Sequence, residues 1–182
     1  MLKKGLLLSA ALLFAVCVHL RPCWRYELDA LPAGSRFGLR AAALAEETAQ
    51  RAAEEILSGS AALPEARRHL RFTLRRPASD ARPLTDALLR STNGVVRRDE
   101  VRVDGVRLGW VEDSAALYTA LDGYIVNTLP TWASGGTLSR ALTTRRLYTR
   151  EGYLTPAGDM LLLVTGAAPV FYHDEAGYSA WA

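Results

Sequence analysis

Chemistry in this chain would have to come from three histidines, two cysteines and 19 aspartates and glutamates. His19, His69 and His173 are far apart, and none has a second histidine at ligand spacing, so metal-assisted hydrolysis has no support. Cys17 lies inside an apolar run and Cys23 just after it, which leaves neither as a nucleophile or a staple of the folded body. No Gly-x-Ser-x-Gly and no phosphate-cradling glycine loop occurs. Carboxylates at this density usually dress a surface. The sequence therefore predicts a chain with no catalytic, metal-binding or cofactor-binding residue and no cofactor. One run has a ligand-like character: Arg67-Arg68-His69-Leu70-Arg71-Phe72-Thr73-Leu74-Arg75-Arg76. Its alternation puts Arg71 and Arg75 on the solvent face of one strand, with Arg67, Arg68 and Arg76 at the ends. A guanidinium fork matches phosphate and carboxylate oxygens. These five arginines are the candidate anionic-ligand surface, set against the plainer reading that an arginine-rich, lysine-poor chain carries arginine on every surface.

The elements that must position such a surface follow from composition and pattern. The 182 residues are 49% hydrophobic and 23% charged, with 14 Gly and 8 Pro, which excludes a disordered, collagen-like or disulfide-dense chain. The formal charge is +3, but the two lysines, Lys3 and Lys4, precede the apolar run, and without them the chain is nearly balanced. That argues against a nucleic-acid partner. Met1-Leu2-Lys3-Lys4 and the uncharged residues 5–20 have the two-part form of an export signal. Sixteen residues make about 24 Å of helix, short of the roughly 30 Å hydrocarbon core. Residues 1–23 are thus expected to be either a cleaved signal peptide or a transmembrane anchor. The rest is expected outside the cytoplasm, membrane-anchored or secreted.

Beyond Trp24 the sequence predicts an α+β fold built as an internal repeat: a first unit over residues 24–96, a second over 97–169, and a tail or final strand over 170–182. Ser35-Arg36-Phe37-Gly38-Leu39 and Val106-Arg107-Leu108-Gly109-Trp110 each lead into a helical pattern, over residues 40–57 and 113–129. Asp104-Gly105 predicts a two-residue hairpin turn. It pairs Val103 with Val106, Val101 with Leu108, and Arg102 with Arg107, a like-charge pair that Glu100 or Glu112 would relieve. The first helix carries an alanine stripe, Ala42, Ala45, Ala49, Ala52 and Ala53 with Ile56. The second has Asp113 as its N-cap and Leu117, Leu121, Tyr124, Ile125 and Leu129 inward. Leu70, Phe72 and Leu74 alternate as a half-buried strand should, and residues 144–149 take that role in the second unit. Short helices are expected over residues 84–90 and 156–163, with Asp86 and Asp159 near their starts.

Three segments carry a resemblance to a known family: Leu84-Thr85-Asp86-Ala87-Leu88-Leu89-Arg90; Val101-Arg102-Val103-Asp104-Gly105-Val106-Arg107-Leu108-Gly109; and Asp159-Met160-Leu161-Leu162-Leu163-Val164-Thr165-Gly166 with Pro169-Val170-Phe171-Tyr172. Together they resemble the membrane-proximal ectodomain found ahead of LysM-type modules and lysostaphin-type zinc endopeptidase domains in cell-envelope proteins of Gram-positive anaerobes. The resemblance implies a cell-envelope protein facing peptidoglycan, a spacer or docking domain for cell-wall or protein partners. Its partners would be the membrane through the N-terminal segment, peptidoglycan or an anionic wall polymer, and other envelope proteins. None of that peptidase family's histidine and aspartate zinc-ligand motifs is present, so no catalytic residue carries over. The alternative is a regulatory or truncated portion of a murein endopeptidase system.

Overall fold

A computed structural model describes residues 19–176 and 179–181 of the chain. The fold is mixed α+β and divides into two compact units between Val95 and Val96. The first holds strands β1 (Arg21–Glu27) and β2 (Arg36–Gly38), helix α1 (Leu39–Leu57), β3 (Arg67–Thr73) and helix α2 (Arg82–Arg90). Strand β4 (Val95–Val103) begins at the boundary and, with β5 (Val106–Val111), opens the second unit. That unit continues with α3 (Ser114–Thr128), β6 (Gly135–Leu138), β7 (Leu142–Arg150), α4 (Ala157–Ala167), β8 (Val170–His173) and β9 (Ser179–Trp181). The order of two strands, helix, strand and helix runs through both units, with β6 inserted and β8 and β9 appended in the second.

In the first unit a three-stranded sheet has the order β2-β1-β3. Both neighbours of β1 are antiparallel to it, Cys23 standing between Gly38 and Arg71 and Arg25 between Arg36 and His69. The apolar stripe of α1 is almost all alanine: Ala42, Ala45, Ala49 and Ala53 are buried, and α2 returns Leu84, Ala87 and Leu88 against this layer. Small side chains let the helix sit close to its neighbours, and the same closeness makes the stripe intolerant of bulk. Ala49→Leu should lower the stability of this unit by about 1–2 kcal/mol, whereas Leu44→Ala, at a position 54% exposed, should change it by less than about 0.5 kcal/mol. Denaturant titration of the two variants checks this.

The second unit has two three-stranded sheets, ordered β5-β4-β7 and β6-β8-β9. Its core is Val101, Val103 and Val111 from the first sheet packed with Leu117 of α3 and Met160, Val164 and Ala168 from α4 and its C-terminal end. Asp104 and Gly105 both have positive φ, 49° and 80°, the conformation that a two-residue hairpin requires and that the Asp-Gly dipeptide supplies. Val103 pairs with Val106 and Arg102 with Arg107. A bulge between Val101 and Arg102 then shifts the register, so Val101 faces Gly109 instead of Leu108. The like-charge pair is relieved as expected: the buried Glu100 carboxylate takes Arg102 Nε at 2.7 Å and stands 4.0 Å from Arg107 Nη1. Asp113 caps α3, its carboxylate accepting from Ala115 N–H at 3.0 Å.

Several expectations need correction. The membrane-anchored reading fails: among the described residues no helix is long and apolar enough to cross a membrane. The expected anchor also ran to Cys23, yet Arg21, Pro22 and Cys23 open the central strand β1, and Cys23 is fully buried there. That part of the segment belongs to the fold, which corrects the reading of residues 1–23 as a transmembrane anchor, and with it the membrane as a partner through that segment and the membrane-anchored location. The remainder, residues 1–18, lies outside the described residues. Leu70, Phe72 and Leu74 are not half-buried; they are 48%, 62% and 60% exposed, the first two on the edge strand β3 and Leu74 just past its end. Val106 is likewise exposed, Asp86 lies beyond the first turn of α2, and residues 170–182, expected as a tail or final strand, hold two strands, β8 and β9.

Candidate anion-binding site

Register decides where the arginines of the first unit point, because residues directly opposite each other share a face of the sheet. One face carries Trp24, Tyr26, Phe37, Leu70 and Arg68 and is the one met by α1. The Tyr26 hydroxyl donates to Glu46 of that helix at 2.7 Å, and Tyr26 and Phe37 pack edge to face with ring centroids 6.1 Å apart. Arg68 Nη1 donates to both oxygens of Glu46, at 2.8 and 3.1 Å, and its guanidinium lies 5.1 Å from the centre of the Trp24 ring. Burial first, and then the hydrogen bond to Glu46, raises the Tyr26 phenol well above its ordinary value, while the Glu46 charge raises Arg68. The phenol and the guanidinium keep their protons at every ordinary pH, and this cluster ties sheet to helix.

The opposite face has a different composition. Arg21, Cys23, Arg25 and Glu27 of β1 stand beside Arg36 and Gly38 of β2 and Arg67, His69, Arg71 and Thr73 of β3. Five arginines share it with one carboxylate, Glu27, which stands 3.8 Å from His69 Nε2. Arg25 and Arg36 are directly opposed, a like-charge arrangement that costs stability unless an anion intervenes. Arg25 Nε is buried with no hydrogen-bond partner among the described residues. The Cys23 thiol at the centre of this face donates to the Arg71 carbonyl at 3.5 Å.

The five arginines expected to form one stripe are therefore divided. Arg67 and Arg71 are on the arginine face, Arg68 is on the helix side and already paired, and Arg75 and Arg76 lie beyond the strand's end. Sequence reasoning missed Arg21, Arg25 and Arg36. For the first two the signal was present, since Arg21, Cys23 and Arg25 alternate as strand residues do, but they were absorbed into the expected anchor and its flank. Arg36 stands out in the sequence only as part of the repeat.

Comparison with known proteins adds no relative. No protein-family model, no curated protein and no solved structure matches the chain. The likeness to envelope ectodomains rests on its short motifs alone, and the site has to be read from its own geometry. Among the described residues no group of three or more His, Cys, Asp or Glu side chains could hold a metal ion. His69 is on β3 beside Glu27, and His173 is exposed at the end of β8. What the arrangement can do chemically is hold anionic groups: guanidinium forks donate to oxyanions in bidentate fashion, and they keep their charge at every physiological pH.

Proposed function

We propose that this chain is a non-catalytic docking domain of the cell envelope that holds the anionic cell wall on the arginine face of its first unit. The observation that carries this reading is the imbalance on that face, where Arg21, Arg25, Arg36, Arg67 and Arg71 stand against Glu27. A sheet face so composed has a strong positive potential with little internal compensation, and its complement is a polymer bearing repeated negative charges. The recurring order of elements supports a duplicated hairpin–helix–strand–helix unit behind it. The motif resemblance to envelope ectodomains points the same way.

Co-sedimentation of the full chain with purified cell-wall sacculi tests the proposal. Arg67 and Arg71 are exposed, so Arg67→Glu with Arg71→Glu reverses charge at the face without touching the core. The unaltered chain should pellet at low salt and largely release near 1 M salt, where the screening length falls to about 3 Å. The double variant should stay in the supernatant at both. Equal pelleting of the variant at low salt, or no pelleting of the unaltered chain, overturns the reading.

A further inference from the structure

Where β3 ends, the chain does not leave the sheet. It runs from the β3 edge back to β2, where Ala78 bridges Phe37: Ala78 N–H donates to the Arg36 carbonyl at 2.9 Å and Gly38 N–H to the Ala78 carbonyl at 3.0 Å. Between this returning segment and the start of β2 lies a cavity of about 300 Å³ lined by Gly34, Arg36, Thr73, Arg75, Arg76 and Pro77. Three of its lining residues are arginines and none is acidic. Arg75 and Arg76 have no side-chain ion pair or hydrogen bond among the described residues.

The donors are arranged around one buried hydroxyl. Thr73 is 6% exposed, and its Oγ1 accepts from Arg36 Nη1 at 3.2 Å and from Arg75 N–H at 3.1 Å. A threonine oxygen has two acceptor positions and one proton. With both acceptor positions taken, the proton is the group it has left to offer. Arg36 spends one of its five N–H donors on Thr73 and keeps four. The cavity is thus bordered by donors and positive charge, and the backbone bonds at Ala78 hold its walls together before any ligand arrives.

The geometry points to a binding site for a single phosphate group, monoester or diester, held by the guanidiniums of Arg36, Arg75 and Arg76 with the Thr73 hydroxyl donating. A tetrahedral oxyanion with several acceptor lone pairs uses donors converging from more than one side, and arginine forks meet phosphate oxygens in pairs. The inference deepens the docking reading and rests on it for the source of the phosphate. A wall polymer with phosphodiester links would present one group to this cavity while its neighbours run over the arginine face.

Titration calorimetry on the full chain, with inorganic phosphate and separately with a glycerol-phosphodiester oligomer, tests it. Saturable binding of phosphate is expected. Arg75→Ala with Arg76→Ala, both at exposed positions, should weaken it at least about tenfold, since each lost guanidinium removes a charge-assisted contact. Arg67→Ala with Arg71→Ala, on the face but not on the cavity, should leave phosphate affinity within about twofold. Tighter binding of the oligomer than of phosphate identifies the polymer as the source; equal or weaker binding identifies free phosphate. Absence of saturable phosphate binding overturns the site, and so does equal weakening by the two double variants, which would mean diffuse attraction. The pelleting assay fails independently. Sacculi retained by a chain that ignores phosphate remove the cavity and keep the docking face; phosphate bound by a chain that does not pellet removes the face and keeps the cavity.

Discussion

Replacing Asp99 with alanine is expected to destabilise the second unit by about 3 kcal/mol, the largest loss foreseen for any single side chain here. Asp99 is on β4, 3% exposed. Its carboxylate accepts from Arg146 Nε at 2.6 Å and Nη2 at 2.8 Å on β7, and from the backbone N–H of Ser114, the first residue of α3, at 2.8 Å. One side chain thus joins a strand pair and satisfies a helix end. Losing it leaves a helix N–H without its acceptor and the guanidinium without its buried partner. Arg146 is 44% exposed and can rehydrate, which keeps the expected loss near the lower end of the range for broken buried pairs. The Arg146 hydrogen bonds hold the Asp99 carboxyl well below the usual carboxylate range. A folded-state value below the unfolded one gives stabilisation that is complete above about pH 4 and is lost as pH falls through the carboxylate range towards the folded value. The unaltered chain should therefore lose stability in the second unit below about pH 4, and Asp99→Asn should show less of that loss. An acid limb of the same depth in the variant would mean that another carboxylate governs it.

The parts of this fold that were legible in the sequence are those written in neighbouring residues. Asp104-Gly105 dictated a turn because its backbone conformation is a local matter, and the Arg102–Arg107 pair with Glu100 beneath followed from the turn. Asp113 could be assigned as a cap, and the alanines of α1 as a buried stripe, from spacing alone. Burial of β3 was not legible. Alternation of Leu70, Phe72 and Leu74 marks a strand and its two sides, but whether a second layer covers either side depends on where the strand falls in the sheet. The bulge at Val101 escaped for a related reason: hairpin register counts outwards from the turn, and an inserted residue leaves no mark in a pattern of valines and arginines. The arginine face was the least visible feature. It exists because Cys23 pairs with Arg71, 48 residues away, and the first three residues of the strand that makes the pairing follow an apolar run that reads as a signal peptide or an anchor. The cavity at Thr73 needs a further long-range step, the return of Ala78 to β2.

Gly136→Ala should be the second most damaging change, at about 2–3 kcal/mol, although it adds only one methyl group. Gly136 of β6 stands directly opposite Tyr172 of β8. A Cβ on Gly136 would lie 2.8 Å from Tyr172 Cδ1 and 3.0 Å from its Cε1, with Ile125 Cγ2 at 3.0 Å on α3. Aromatic rings covering a strand glycine are a recurrent way to fill the space it leaves, and here the ring has nowhere to go. Tyr172 is 1% exposed, and its hydroxyl is 2.5 Å from Thr128 Oγ1, which in turn donates to the Tyr124 carbonyl at 2.7 Å. To admit the methyl group, either the ring leaves its hydrogen bond or β6 moves away from α3. The adjacent glycine separates this cause from a general intolerance of side chains in β6. A Cβ on Gly135 would meet the ring of His173 at 2.9 Å, but that ring is exposed at a strand end and can rotate into solvent. Gly135→Ala should therefore cost less than about 1 kcal/mol, the methyl group's strain being partly offset by the entropy that glycine loses on folding. Denaturant unfolding of both variants measures the difference. Equal losses would mean that β6 resists any side chain and that the anchored tyrosine ring is not the reason.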